Sequence, residues 1–127
     1  MQKQRLTRYE LELMDVLWRL GQGTVQDVCD NLDRELAYTT VMTTLRLLHS
    51  KKKVLKRVKQ GRAHVYRPTV SREEISRSVL TEMRDVLFRD RLPTLVLGML
   101  EEGQFSSEDI EAIRAALKKV KAQEMKE

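Results

Sequence analysis

Cysteine is all but missing from this chain of 127 residues: Cys29 is the single one, so no internal disulfide can form and a reducing compartment is implied. Histidine is nearly as scarce. His49 and His64 stand in no metal-ligand spacing with cysteine or carboxylate, so neither a metal nor another cofactor is expected. No phosphate-cradling glycine loop occurs, and no serine, cysteine or histidine is set beside a partner that would activate it, so an enzyme is not expected. Long apolar runs are absent too, since none approaches the ~20 residues that cross a bilayer. The polar start from Met1 to Arg8 lacks an apolar stretch and a cleavage site. Membrane insertion and secretion are therefore not expected, and the cytoplasm is the expected location.

Negative charge is missing from one stretch in particular. Between Arg46 and Arg67 the chain carries nine lysines and arginines and no acidic residue. Residues 1–70 hold 14 basic and 7 acidic residues, and residues 71–127 hold 10 and 12, so the halves carry +7 and −2. A solvated surface ordinarily intersperses both signs, whereas a one-signed stretch builds a field that draws a polyanion. The division predicts a nucleic-acid-binding lobe over 1–70 and a helical, apolar-rich lobe with another task over 71–127.

Helix starts are marked by hydroxyl residues three places before a carboxylate: Thr7 with Glu10, Thr24 with Asp27, Ser71 with Glu74 and Ser106 with Asp109. After Thr7, Leu13, Val16, Leu17 and Leu20 follow the spacing of one buried helix face, ended by Gly21 and Gly23. A short second helix runs from Thr24 to about Leu32 and places Cys29 in its apolar stripe, as a packed thiol. The third begins near Tyr38, with Val41, Leu45 and Leu48 facing the core; Trp18 and Tyr38 are expected to pack between helices, and Tyr38, at the start of the third helix, is alternatively placed to face a phosphate.

Two short runs, Val54 to Val58 and Ala63 to Arg67, flank a turn on Gln60 and Gly61 and predict a β-hairpin closed by Pro68. Val54, Leu55, Val58, Val65 and Tyr66 are expected to attach it to the helices. Further helices are expected over Ser71 to about Arg89, Pro93 to about Glu102 and Ser107 to about Lys121, before a frayed tail. The fold class is thus mainly α with a small β-hairpin, a winged helix-turn-helix followed by a helical lobe. Three short helices with so much apolar surface bury it poorly alone. Pairing two copies through Val79, Leu80, Met83, Leu87, Leu95, Val96, Met99, Leu100, Ile110, Ile113 and Leu117 would complete the core, so dimerisation is expected.

Double-stranded DNA is the expected partner because its major groove admits one helix and is read there by matched donors, acceptors and methyl groups. The third helix turns Thr39, Thr40, Thr43, Arg46 and Ser50 outward, with Met42 at the edge for a thymine methyl. Arg57, Lys59, Arg62 and His64 of the hairpin are placed to hold phosphates, which set register without reading sequence. Two other readings are open: an adaptor that binds protein through a winged helix, disfavoured by the acid-free stretch, and structured RNA, whose narrow major groove excludes a helix.

The motifs MDVLW (Met14 to Trp18), LAYTTVMTTLRLL (Leu36 to Leu48), RAHVYRP (Arg62 to Pro68) and SSEDI (Ser106 to Ile110) resemble the BlaI/MecI-type penicillinase and methicillin-resistance repressors, a family with copper-responsive relatives. The resemblance covers nearly the whole chain. It implies a winged-helix homodimer on a palindromic operator that represses transcription, in antibiotic resistance for the penicillin-responsive members. It also implies release by proteolysis in the carboxy-terminal lobe, with a membrane-bound sensor protease as partner. Where those members carry Asn-Phe after a Leu-Val-Leu-like stretch, this chain has Gly98-Met99, and the paired cysteines of the copper branch are absent. A repressor induced by another signal is the corresponding alternative.

Overall fold

The computed structural model describes residues 5–126, which form two compact units divided between Met83 and Arg84. The first contains α1 (Arg8–Leu20), α2 (Val25–Asp30), α3 (Tyr38–Ser50), β1 (Leu55–Gln60), β2 (Ala63–Pro68) and most of α4 (Arg72–Val86). The second contains the end of α4, α5 (Leu92–Glu102) and α6 (Ser107–Lys126).

All four expected hydroxyl–carboxylate pairs close as reciprocal caps. At α1 the Glu10 amide donates to Thr7 Oγ1 at 3.1 Å and the Thr7 amide to Glu10 Oε1 at 2.8 Å. Thr24 with Asp27, Ser71 with Glu74 and Ser106 with Asp109 repeat the arrangement. Each pair satisfies two amide groups that the first helical turn cannot.

The core of the first unit joins Leu13, Met14, Val16 and Leu17 of α1 to Val25 and Val28 of α2 and to Val41, Leu45 and Leu48 of α3. Val54, Leu55 and Tyr66 bring the hairpin onto it. Full burial stabilises each such aliphatic side chain by about 1.5–3 kcal/mol, so the hairpin is held by its base rather than its tip. Two backbone bonds join β2 to the α1–α2 loop: the Gly23 amide donates to the Tyr66 carbonyl at 2.9 Å and the Tyr66 amide to that of Gly23 at 2.8 Å. At the start of α4, Trp18 Nε1 donates to the Val70 carbonyl at 2.9 Å while the Arg72 guanidinium lies over the indole and pairs with Asp15 at 2.8 Å.

The structure corrects several expectations. Gln60 pairs with Ala63, so the hairpin turn consists of Gly61 and Arg62. Gly61, at φ 61°, supplies the positive φ needed at the first position of a II′ turn. Val58 is 59% exposed and does not attach the hairpin, because β1 leaves the core after Leu55 while β2 stays on it through Val65 and Tyr66. Tyr38 is 49% exposed at the first turn of α3 rather than packed between helices, and Leu20 is exposed where α1 runs past the core. The end beyond Lys121 is not a frayed tail among the described residues: α6 continues to Lys126 through Ala122, Gln123, Glu124 and Met125, all good helix formers.

Candidate nucleic-acid interface

Helix α3 carries the core on one side and a polar stripe on the other. Val41, Thr44, Leu45 and Leu48 are buried, whereas Thr39, Thr40, Thr43, Arg46 and Ser50 are exposed. Met42 lies between, half-buried against the core. Two of the hydroxyls in this helix are turned onto its own backbone: Thr44 Oγ1 donates to the Thr40 carbonyl at 2.9 Å and Ser50 Oγ to that of Arg46 at 2.8 Å. Among the described residues, Thr39, Thr40, Thr43 and Arg46 make no side-chain hydrogen bond to the protein, so their donors and acceptors are free for an outside partner.

Strand pairing decides which hairpin cations look toward α3. Lys59 lies opposite His64 and Arg57 opposite Tyr66, and side chains of directly opposed residues share one face. Tyr66 is buried on that face, so Arg57, Lys59 and His64 are drawn to the side that meets the helix. His49 Nδ1 donates to the Leu55 carbonyl at 3.1 Å and ties the end of α3 to the start of β1.

Met42, Arg46, Arg57, Arg62 and His64 consequently line one recess of about 250 Å³ between α2, α3 and the hairpin. Thr39, Thr40, Thr43, Ser50 and Lys59 lie outside that lining. The recess also takes in Thr24 and Gln26 of α2 and Tyr38, which the periodicity of the sequence did not single out as ligand-facing. Tyr38 alone carried a signal, its place at the start of α3; Thr24 was legible only as a cap.

The electrostatics are one-sided. Of the nine cations between Arg46 and Arg67, only Lys52 forms an ion pair among the described residues, with Glu10 at 3.5 Å. Burial lowers the affinity of His64 for a proton, and Arg57, Lys59, Arg46 and His49 lower it further. Cys29 is chemically quiet by comparison. Burial pushes its thiol up, and Asp30 adds to the effect, which disfavours the thiolate. Among the described residues no group of three or more His, Cys, Asp or Glu side chains could hold a metal ion, and no helix is long and apolar enough to cross a membrane.

The residues expected at a dimer contact fall in both units. Val79, Leu80 and Met83 lie on the first unit's part of α4, with Leu80 exposed. In the second unit Leu87, Val96, Met99, Leu100, Ile110 and Leu117 are exposed, Leu95 and Ile113 half-buried, and no described residue is buried. Gly98 and Met99 lie within α5, both exposed.

The family model described as penicillinase repressor matches residues 6–119. A transcriptional regulator BlaI of Mycobacterium tuberculosis is 40% identical over 81 residues, covering 61% of this chain and 58% of the relative. The chain thus spans less than two thirds of that relative's length. A penicillinase repressor of Bacillus licheniformis is 29% identical over 115 residues, covering 88% of each chain. The solution structure of the DNA binding domain of the repressor BlaI aligns over 57% of this chain and 90% of its own, at 29% identity and a TM-score of 0.49.

Proposed function

The chain belongs to the penicillinase repressor family, and from that premise we propose that it is a transcriptional repressor, without enzymatic activity, that binds double-stranded DNA in the cytoplasm. One observation carries the reading: the outward face of α3 and the adjoining hairpin present Arg46, Arg57, Lys59 and Arg62 with no acidic residue between Arg46 and Arg67. In this reading residues 1–70 form the DNA-binding domain. Helix α3 enters the major groove, where Arg46 makes the bidentate pair to guanine that its guanidinium fits, and Thr39, Thr40, Thr43 and Met42 meet neighbouring base edges and methyl groups. Ser50, Arg57, Lys59, Arg62 and His64 approach the flanking phosphates.

Residues 71–127 join two copies. The support is the unsatisfied apolar surface: Leu87, Val96, Met99, Leu100, Ile110 and Leu117 stand exposed in a unit that buries none of its described residues. A second copy would cover them, and a two-fold dimer carries two equivalent reading helices to a palindromic operator. Release follows cleavage within α5 at Gly98-Met99 by a membrane-bound sensor protease, which separates Met99 to Glu127 from the rest. Its support is the place of Gly98-Met99 after Leu95-Val96-Leu97, where the repressors it resembles carry Asn-Phe, and the exposure of both residues within α5.

Sequencing genomic fragments retained by the full-length protein, with duplex RNA as competitor, tests the reading. A palindromic motif is expected, with retention unaffected by RNA. Retention without any shared motif, or displacement by RNA as readily as by DNA, overturns it.

A further inference from the structure

His64 is the one imidazole that lines the recess. Its Nδ1 is buried without a hydrogen-bond partner among the described residues, which leaves Nε2 as the nitrogen an incoming group can reach. The elements packed around the imidazole face it with basic side chains. Helix α3 supplies Arg46 and His49, β1 supplies Arg57 and Lys59, and the turn supplies Arg62. The Tyr66 ring of β2 stacks against it at 6.5 Å between centroids, and Tyr38 is the other titratable side chain of the lining. No Asp or Glu lines this recess.

Such a surround suits a neutral imidazole beside an empty recess and a charged one beside a filled recess. Like charges on directly opposed strand residues repel, and Lys59 sits directly across from His64. An anion among the three guanidinium groups would cancel that field and offer an acceptor to the ring. Resting on the DNA-binding reading above, we propose that the recess seats a phosphate of the DNA backbone and that His64 takes up one proton from solvent as the phosphate enters. The added proton ends on the imidazole, whose Nε2–H donates to a phosphate oxygen.

The free protein thus disfavours a proton on His64, and the complex favours one. The sign follows. Affinity for DNA is lowest above the titration of the bound ring, rises as pH falls through it, and levels off once the free ring is protonated too. One linked proton changes affinity by at most about tenfold per pH unit for each protomer. Winged-helix contact with phosphate needs no such coupling; the burial of an unpartnered ring nitrogen among cations is what adds it here.

The test uses the full chain and a mixed-sequence duplex of about three helical turns, at constant low ionic strength. Calorimetric titrations in two buffers of different ionisation enthalpy read the protons taken up on binding. Nuclear magnetic resonance reads the midpoint of the His64 ring with and without duplex, and needs no substitution. Uptake approaching one proton per protomer is expected, with an upward movement of the His64 midpoint; His64→Gln should abolish the uptake and His49→Gln should keep it. Uptake that persists in His64→Gln, or a His64 midpoint unmoved by bound duplex, overturns the proposal. Binding that is tight at every pH without uptake overturns it while leaving the repressor reading intact, whereas a duplex that binds at no pH overturns both.

Discussion

Arg46 and Arg62 carry the same charge and line the same recess, yet their supports differ. Arg46 projects from a rigid helix whose opposite face is locked by Val41, Leu45 and Leu48, while Arg62 occupies a two-residue turn. Replacing Arg46 with alanine should cost about 1–3 kcal/mol on a preferred site and relax sequence preference, while Arg62→Ala should weaken all duplexes alike and flatten the salt dependence. Titrations on operator and scrambled DNA separate the two, and equal losses for Arg46→Ala would remove it from base reading. A third charged residue, Asp15, bears on stability instead. Burial pushes the Asp15 carboxyl up, but hydrogen bonds from Arg72 and Arg19 outweigh it and hold it below the ordinary value. Its contribution is therefore present above about pH 4, the usual aspartate value, and is lost as pH falls through the depressed one. Denaturant titrations of Asp15→Asn should show a shallower acid decline than the parent chain; matching declines would place the acid sensitivity elsewhere.

Helix α5 is apolar along most of its length and carries Gly98 in its interior, where a Cβ would meet nothing within 4 Å. Gly98→Ala should strengthen the helix by about 1 kcal/mol, because it removes backbone freedom without adding a clash. Hydrogen exchange of the α5 amides should slow in the variant, and unchanged rates would show that the glycine does not set local opening. In the hairpin, by contrast, stability resides in a few buried residues. Leu55, Val65 and Tyr66 are buried while Val58 and the turn stand free, so Tyr66→Ala should detach the wing at a cost of about 3–5 kcal/mol and Val58→Ala should cost little. Thermal unfolding checks the contrast.

A chain with one reading helix and an uncovered apolar unit has a strong reason to pair. The full protein should sediment as a dimer at micromolar concentration, and a chain ending at Gly98, stripped of Ile110, Ile113 and Leu117, as a monomer. Losing the link between two half-sites should weaken operator binding by roughly 10²- to 10⁴-fold, since the second contact no longer profits from effective concentration. A truncated chain that stays dimeric and binds as the parent does would refute release by cleavage. For the proposed dimer, contact with ~6–10 phosphates should lower affinity by roughly 10³- to 10⁵-fold between 50 and 200 mM salt. A salt-insensitive complex would argue against a phosphate grip altogether.

Much of this molecule can be read from neighbours along the chain. The four caps, the buried stripe of α3 and the hairpin around Gly61 depend on residues three or four places apart or on one turn, and those distances are set by helix and strand geometry before any packing occurs. The acid-free stretch is equally a property of the string. What composition and periodicity could not supply are relations between residues distant in the chain. Val58 and Val65 are both apolar and directly opposed, yet only Val65 is buried, because β2 lies on the core while β1 leaves it after Leu55. The Trp18 bond to Val70 spans 52 positions, and the recess joins Thr24 of α2 to His64 of β2. His64 is polar by type, and nothing local marks its Nδ1 as buried. That burial arises when β2 pairs with β1 and the hairpin closes on α3, since an environment, unlike a helix turn, is made by every element that surrounds it.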